Sequence, residues 1–122
     1  MARTHAKVGD LPAGERVAPT TAEKVVQALK LMEGRWKLEI LFQLFGGKVR
    51  RFSELERAIP AISQKMLAQQ LREMESDGMV RRTVYPEVPP KVEYSLTDWG
   101  QALCPSLDSL LRWQAERDAT GK

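Results

Sequence analysis

The chain has 122 residues, 43% of them hydrophobic, a net charge of +3 and a single cysteine, Cys104. That is enough apolar material for the core of one folded domain. With one cysteine and one histidine, His5, it has no intramolecular disulfide, no multi-cysteine zinc site and no material for a histidine-based catalytic triad.

Residues 1–20 contain Gly9, Pro12, Gly14 and Pro19 without a sustained period and are expected to form a flexible arm. Arg3, Lys7 and Arg16 lie there, but no apolar run suits a secretory signal. No span reaches the roughly 18 apolar residues of a membrane helix, so a cytoplasmic protein is expected. Thr20 or Thr21 should cap a first helix, in which Val25, Val26, Leu29 and Met32 recur at helical spacing. A second helix is expected over 36–45, apolar at Trp36, Ile40, Leu41, Leu44 and Phe45, and stopped by Gly46-Gly47. Residues 48–52 should be extended, adding a short strand to a later hairpin.

Ser53 is the expected cap of a third helix, with Leu55 and Ile59 inward and Pro60 ending it. Ser63 should cap a fourth, from Gln64 to about Ser76, closed by Asp77-Gly78. The runs MVRRTVY (79–85) and KVEYSLT (91–97) are strand-like and bracket PEVPP; in the second, Val92, Tyr94 and Leu96 share a face. Thr97 or Asp98 should cap a last helix through Trp99, Leu103, Leu107, Leu110, Leu111 and Trp113, which Pro105 should kink or split. Residues 118–122 are expected to be a flexible tail, which leaves 21–117 as the domain. The expected order is α-α-β-α-α-β-β-α. It describes an α+β, mainly helical chain: a winged helix-turn-helix with an extra helix at each end.

Stepping 100° per residue along the 63–76 helix puts Leu67, Leu71 and Met74 on one side. Lys65, Gln69 and Arg72 fall on the other, beside small Ala68. Ammonium, amide and guanidinium groups with little bulk around them suit base edges in a DNA major groove. Ser63 and Gln64 sit at the helix N-terminus, where free backbone N–H groups favour a phosphate. Arg51 and Arg82 lie on the flanking extended segments. Pro89 and Pro90 stiffen the hairpin loop, and Lys91 at its base is a phosphate partner. Arg81 and Arg82 alternate, so one of them at most faces a duplex. Glu73, Glu75 and Asp77 on the same helix have to point away from phosphate. Double-stranded DNA is therefore the expected partner, with the 63–76 helix in the major groove and the 85–91 wing on the backbone.

Acidic and basic residues are equal in number from Ser63 to Tyr94, which leaves a second reading: a winged-helix protein-interaction module, or anti-regulator, without DNA binding. An enzyme is not expected. Glu54 and Glu56, like Glu73 and Glu75, are two residues apart on a helix and face different directions, with no nucleophile–base pair beside them. No cofactor or metal is expected.

From roughly Val25 to Trp113 the chain resembles the HxlR-type family of bacterial winged-helix transcription regulators. The motifs that carry the resemblance are GRWKLEIL (34–41), RFSEL (51–55), IPAISQKMLAQQLREME (59–75), DGMVRR (77–82), VPPKVEYSLTDWG (88–100) and LDSLLRW (107–113). It implies a homodimer built largely from the first and last helices on an inverted repeat; repression rather than activation is expected separately, as the commoner outcome for a regulator of this size with no visible activation surface. It also implies a recognition role for Ser63–Arg72 and a wing role for Val88–Lys91. The apolar stripes with Val25, Leu29, Leu107, Leu110 and Trp113 are wider than a small core requires and are the expected dimer interface. Redox-sensing members carry a cysteine about fourteen residues before the Trp of the GRW-like motif; here that position is Ala22, so thiol switching of that kind is not expected. Cys104 is expected to be buried as a small apolar residue. A small-molecule effector could use apolar space near Trp99, Trp113 and Met32.

Overall fold

The computed structural model of the protein describes residues 19–119. The expected arm, apart from its last two residues, and residues 120–122 of the expected tail lie outside them. The elements run α1 (Pro19–Lys30), α2 (Arg35–Leu44), α3 (Phe52–Ala58), α4 (Gln64–Ser76), β1 (Val80–Tyr85), β2 (Lys91–Leu96), α5 (Asp98–Gln101) and α6 (Cys104–Ala119). The chain divides into two units, one ending at Glu33 and one beginning at Gly34. Among the described residues no helix is long and apolar enough to cross a membrane.

In the first unit, α1 begins at Pro19, so Thr20 and Thr21 lie in its first turn and do not cap it. A proline with fixed φ and no N–H fits a helix start, which is why the helix opens earlier than the threonines suggested. From Ala22 to Lys30 every residue is exposed, Val25, Val26 and Leu29 included.

The second unit is built on three helices and a hairpin. Ile40, Leu41 and Leu44 of α2, Leu55 of α3, and Leu67, Leu71 and Met74 of α4 are buried, with Ile59, Ile62, Met79, Val80 and Tyr94. Burying each large side chain stabilises the fold by about 1.5–3 kcal/mol. The α2 helix is closed by Phe45, followed by Gly46 and Gly47 at φ +86° and +75°, where an L side chain would be strained.

Between α2 and α3 the expected strand over 48–52 is reduced to one bridge. Arg50 exchanges both backbone hydrogen bonds with Tyr94, at 2.9 and 2.7 Å. The reason is that Phe52 already belongs to α3. Arg51, not Ser53, is the N-cap of that helix, and the Arg51 N–H donates to Glu54 Oε1 at 2.7 Å. The Glu54 carboxylate thus fills an unsatisfied donor at the helix start and sets the boundary two residues early. The helix ends at Ala58, two residues ahead of Pro60.

Ser63 caps α4 as expected, its Oγ accepting from the Met66 N–H at 3.0 Å. At the other end the Gly78 N–H donates to Glu75 O and the Met79 N–H to Met74 O, a Schellman closure with Gly78 at φ +83°. The chain turns directly into β1, which pairs antiparallel with β2 in the register Val80↔Leu96 to Tyr85↔Lys91.

Thr97 ends the hairpin and caps α5, its Oγ1 accepting from the Gly100 N–H at 3.0 Å and donating to Gly78 O at 2.6 Å. The expected last helix is split. Ala102 and Leu103 separate α5 from α6, and Pro105 sits in the first turn of α6, where its missing N–H breaks no hydrogen bond of that helix. Along α6 Leu107 is buried, whereas Leu110, Leu111 and Trp113 are exposed. Leu107, expected in a dimer interface, is thus core. Cys104 is half-buried, less enclosed than expected, because it opens the helix at the edge of the split.

Candidate nucleic-acid interface

The α4 helix is divided as its periodicity requires. Leu67, Leu71 and Met74 are buried, while Ser63, Gln64, Lys65, Gln69 and Arg72 are exposed and Ala68 is half-buried between the two faces. From Lys65 to Arg72 the face extends about 10 Å along the axis, the length of about three base-pair steps.

The neighbouring elements determine which charges are available. Arg82 stands opposite Tyr94 in the hairpin. With Ala68, Leu71, Arg72, Glu75 and Tyr94 it lines a recess of about 340 Å³ between α4 and the strands. The recess brings Arg72 and Arg82 to one place although ten positions separate them. Arg82 is thus the member of the Arg81–Arg82 pair that shares the α4 side.

Other cations are engaged within the chain. Lys91 Nζ lies 3.5 Å from Glu93 Oε2 and 4.9 Å from the centre of the Tyr85 ring. Its charge is thus partly compensated within the hairpin. The Glu93 carboxylate, hydrogen-bonded to Tyr85, pushes that phenol above its ordinary pKa. Arg50 donates from Nε to Gln43 O at 3.3 Å and is spent on the fold. Arg51 is exposed at the α3 cap, and Pro89, Pro90 and the fully exposed Val88 form the wing tip.

Sequence reasoning missed Lys37. Its Nζ lies 2.7 Å from Glu73 Oε1, and Gln69 Nε2 donates to the other oxygen, Glu73 Oε2, at 3.2 Å. The Lys37 bond first, and the Gln69 bond second, hold the Glu73 carboxyl below its usual range. Lys37 and Glu73 are 36 positions apart and meet only because α2 packs on α4. The acidic residue that had to avoid phosphate is neutralised in place. The other nearby acids, Glu75 of α4 and Asp77 at its C-cap, are exposed at its C-terminal end.

The expected interface residues on the end helices are only partly available. Val25 and Leu29 on α1, and Leu110 and Trp113 on α6, are each at least half exposed. Trp99 is also more than half exposed.

A family model described as HxlR-like helix-turn-helix matches residues 31–120. The chain is 52% identical over 91 residues to the helix-turn-helix-type transcriptional regulator YtcD of Bacillus subtilis strain 168, covering 75% of this chain and 71% of that one. It is 51% identical over 86 residues to a regulator of the same type from Methanothermobacter thermautotrophicus, covering 70% of this chain and 65% of its relative. Among solved structures, the redox regulator HypR in its reduced form superposes with a TM-score of 0.71 at 42% identity. That match covers 78% of this chain and 93% of HypR.

Proposed function

The chain belongs to the HxlR-like helix-turn-helix family of transcription regulators, DNA-binding proteins and not enzymes, and on that premise we propose how it engages its operator. The α4 helix enters the major groove and reads base edges with Lys65, Gln69 and Arg72, Ala68 leaving room for close approach. Ser63 and Gln64 bring the helix N-terminus to a phosphate. Arg82 and Arg51 bind the backbone beside it, and the 85–91 wing lies along the strand through Pro89, Pro90 and Lys91.

The protein acts as a homodimer on an inverted repeat, as a repressor rather than an activator. The two α4 helices then enter major grooves about one turn, or ~34 Å, apart. The exposed apolar residues Val25 and Leu29 of α1, and Leu110 and Trp113 of α6, support an interface built from those helices. A cytoplasmic location fits this role, and a small-molecule effector near Trp99 and Trp113 would act on the same dimer.

The observation that carries this reading is the division of α4: a buried Leu67–Leu71–Met74 side, and an opposite side whose Lys65 and Arg72 have no ion pair among the described residues. The test is selection of bound duplexes from a randomised DNA pool at moderate salt. An inverted repeat with half-sites one turn apart is expected. Recovery of nothing above background, with a partner protein captured instead, would favour the interaction module.

A further inference from the structure

Gln69 is the exposed side chain of α4 whose amide is fixed within the chain. Its Nε2 donates to Glu73 Oε2 one turn further on, at 3.2 Å. Glu73 is held in turn by Lys37 through its other oxygen, at 2.7 Å. An amide offers two N–H donors and an acceptor oxygen. One donor faces Glu73, and among the described residues the second N–H and the oxygen have no partner, the kinds of group needed for a two-point contact with adenine.

A glutamine at an exposed position otherwise samples several rotamers and must lose that freedom on binding. A carboxylate one turn away would also repel a polyanion if it were free. Lys37 removes both penalties. Its side chain is only 13% exposed, against 43% for Glu73, so it neutralises the carboxylate from behind and is set back from the binding face.

Building on the DNA-reading role of α4, we propose that Lys37 is a positioning residue for base readout. Acting through Glu73, it fixes the Gln69 amide in the orientation that reads one base pair, without itself touching DNA. Three side chains on two helices thus form a relay from the second helix to the operator. Stability is a minor part of its effect, since a pair with one partner this exposed adds little to folding.

The test measures affinities of the full-length protein for the selected operator and for duplexes changed at each base pair in turn, with thermal melting as the folding control. Gln69→Ala identifies the base pair that Gln69 reads, where the wild type should discriminate by about tenfold. Lys37→Met keeps the apolar stem and removes the charge. It is expected to lose most of the discrimination at that same pair while retaining it elsewhere, alongside a general weakening, shared by every duplex, from the uncompensated Glu73 carboxylate. Lys37→Arg should restore the discrimination. If Lys37→Met melts early, Glu73→Gln, which keeps shape and removes the anion, decides in its place. A folded variant with the wild-type base pattern, or one weakened equally at every pair, would overturn the proposal. A wild type that selects no sequence would overturn the DNA-reading role itself, an outcome separable from the others.

Discussion

Gly100 packs directly on the backbone of Met79. A Cβ at position 100 would stand 2.3 Å from the Met79 carbonyl oxygen, closer than any carbon can approach. The start of the wing and the α5 turn that follows it are thereby in backbone contact. The same carbonyl also accepts the Thr97 N–H at 3.0 Å, so it cannot swing aside without losing that bond.

Gly100→Ala should therefore destabilise the protein although it adds one methyl group. Overpacking against backbone is expected to cost about 2–3 kcal/mol, seen as a drop in Tm of roughly 10 °C. Thermal melting followed by circular dichroism checks this. An unchanged Tm would mean that α5 can shift away from the hairpin.

The two basic positions of the wing should behave differently. Arg82 lines a recess with Arg72 and has no ion pair among the described residues, whereas Lys91 is held by Glu93 and Tyr85. Arg82→Ala is expected to weaken DNA binding evenly across sequences and to reduce the salt slope by about 0.9 for the lost phosphate contact. Lys91→Ala should have a distinctly smaller effect on both. Titrations at three salt concentrations separate the two, and equal slopes would refute the ranking.

Leu107 and Trp113 lie six positions, about 1.7 turns, apart on α6 and face different surroundings. Leu107 is 7% exposed and Trp113 67%. Leu107→Ala should lower stability by about 2–5 kcal/mol. Trp113→Ala is expected to leave the folded chain intact and weaken self-association. Sedimentation across a dilution series, paired with thermal melting, distinguishes a core residue from an interface residue.

Acid should loosen the α2–α4 contact. The folded-state pKa of Glu73 lies below its usual 4.5, held down by Lys37 and then Gln69. A depressed carboxylate stabilises the fold above its unfolded pKa, and the contribution is lost as pH falls through the folded value. Stability measured between pH 7 and pH 3 should thus fall more steeply for the wild type than for Glu73→Gln. The two curves should converge at the acid end.

The elements with strong local signals were legible in the sequence. Ser63 and Gly78 bracket α4 because each fills a backbone need at its own end, and the 79–97 hairpin follows from two strand-like runs around a proline-rich loop. The start of α3 was misplaced because Glu54 reaches back to the Arg51 N–H, which made Arg51 the cap in place of Ser53. The strand over 48–52 shrank to Arg50 for the same reason. On the site, the outward position of Lys65, Gln69 and Arg72 was visible from helical spacing alone. Whether a charge is free was not, because it depends on partners supplied by packing: Glu73 for Lys37 across 36 positions, Gln43 O for Arg50. The burial of Leu107 was hidden too, since periodicity identifies an apolar stripe and not what covers it.

The Thr97 hydroxyl has a mechanical consequence. By accepting from Gly100 and donating to Gly78, it ties the end of α4 to the start of α5 at the foot of the hairpin. The foot is a fulcrum, and the free lever arm begins beyond the β1–β2 ladder, at residues 86–90. On the proposed docking, load on the tip would be taken up at this foot before it reached α4. A Thr97→Val substitution, which removes the hydroxyl and keeps the shape, would loosen that foot and leave the Thr97 N–H bond to Met79 O as its remaining tie.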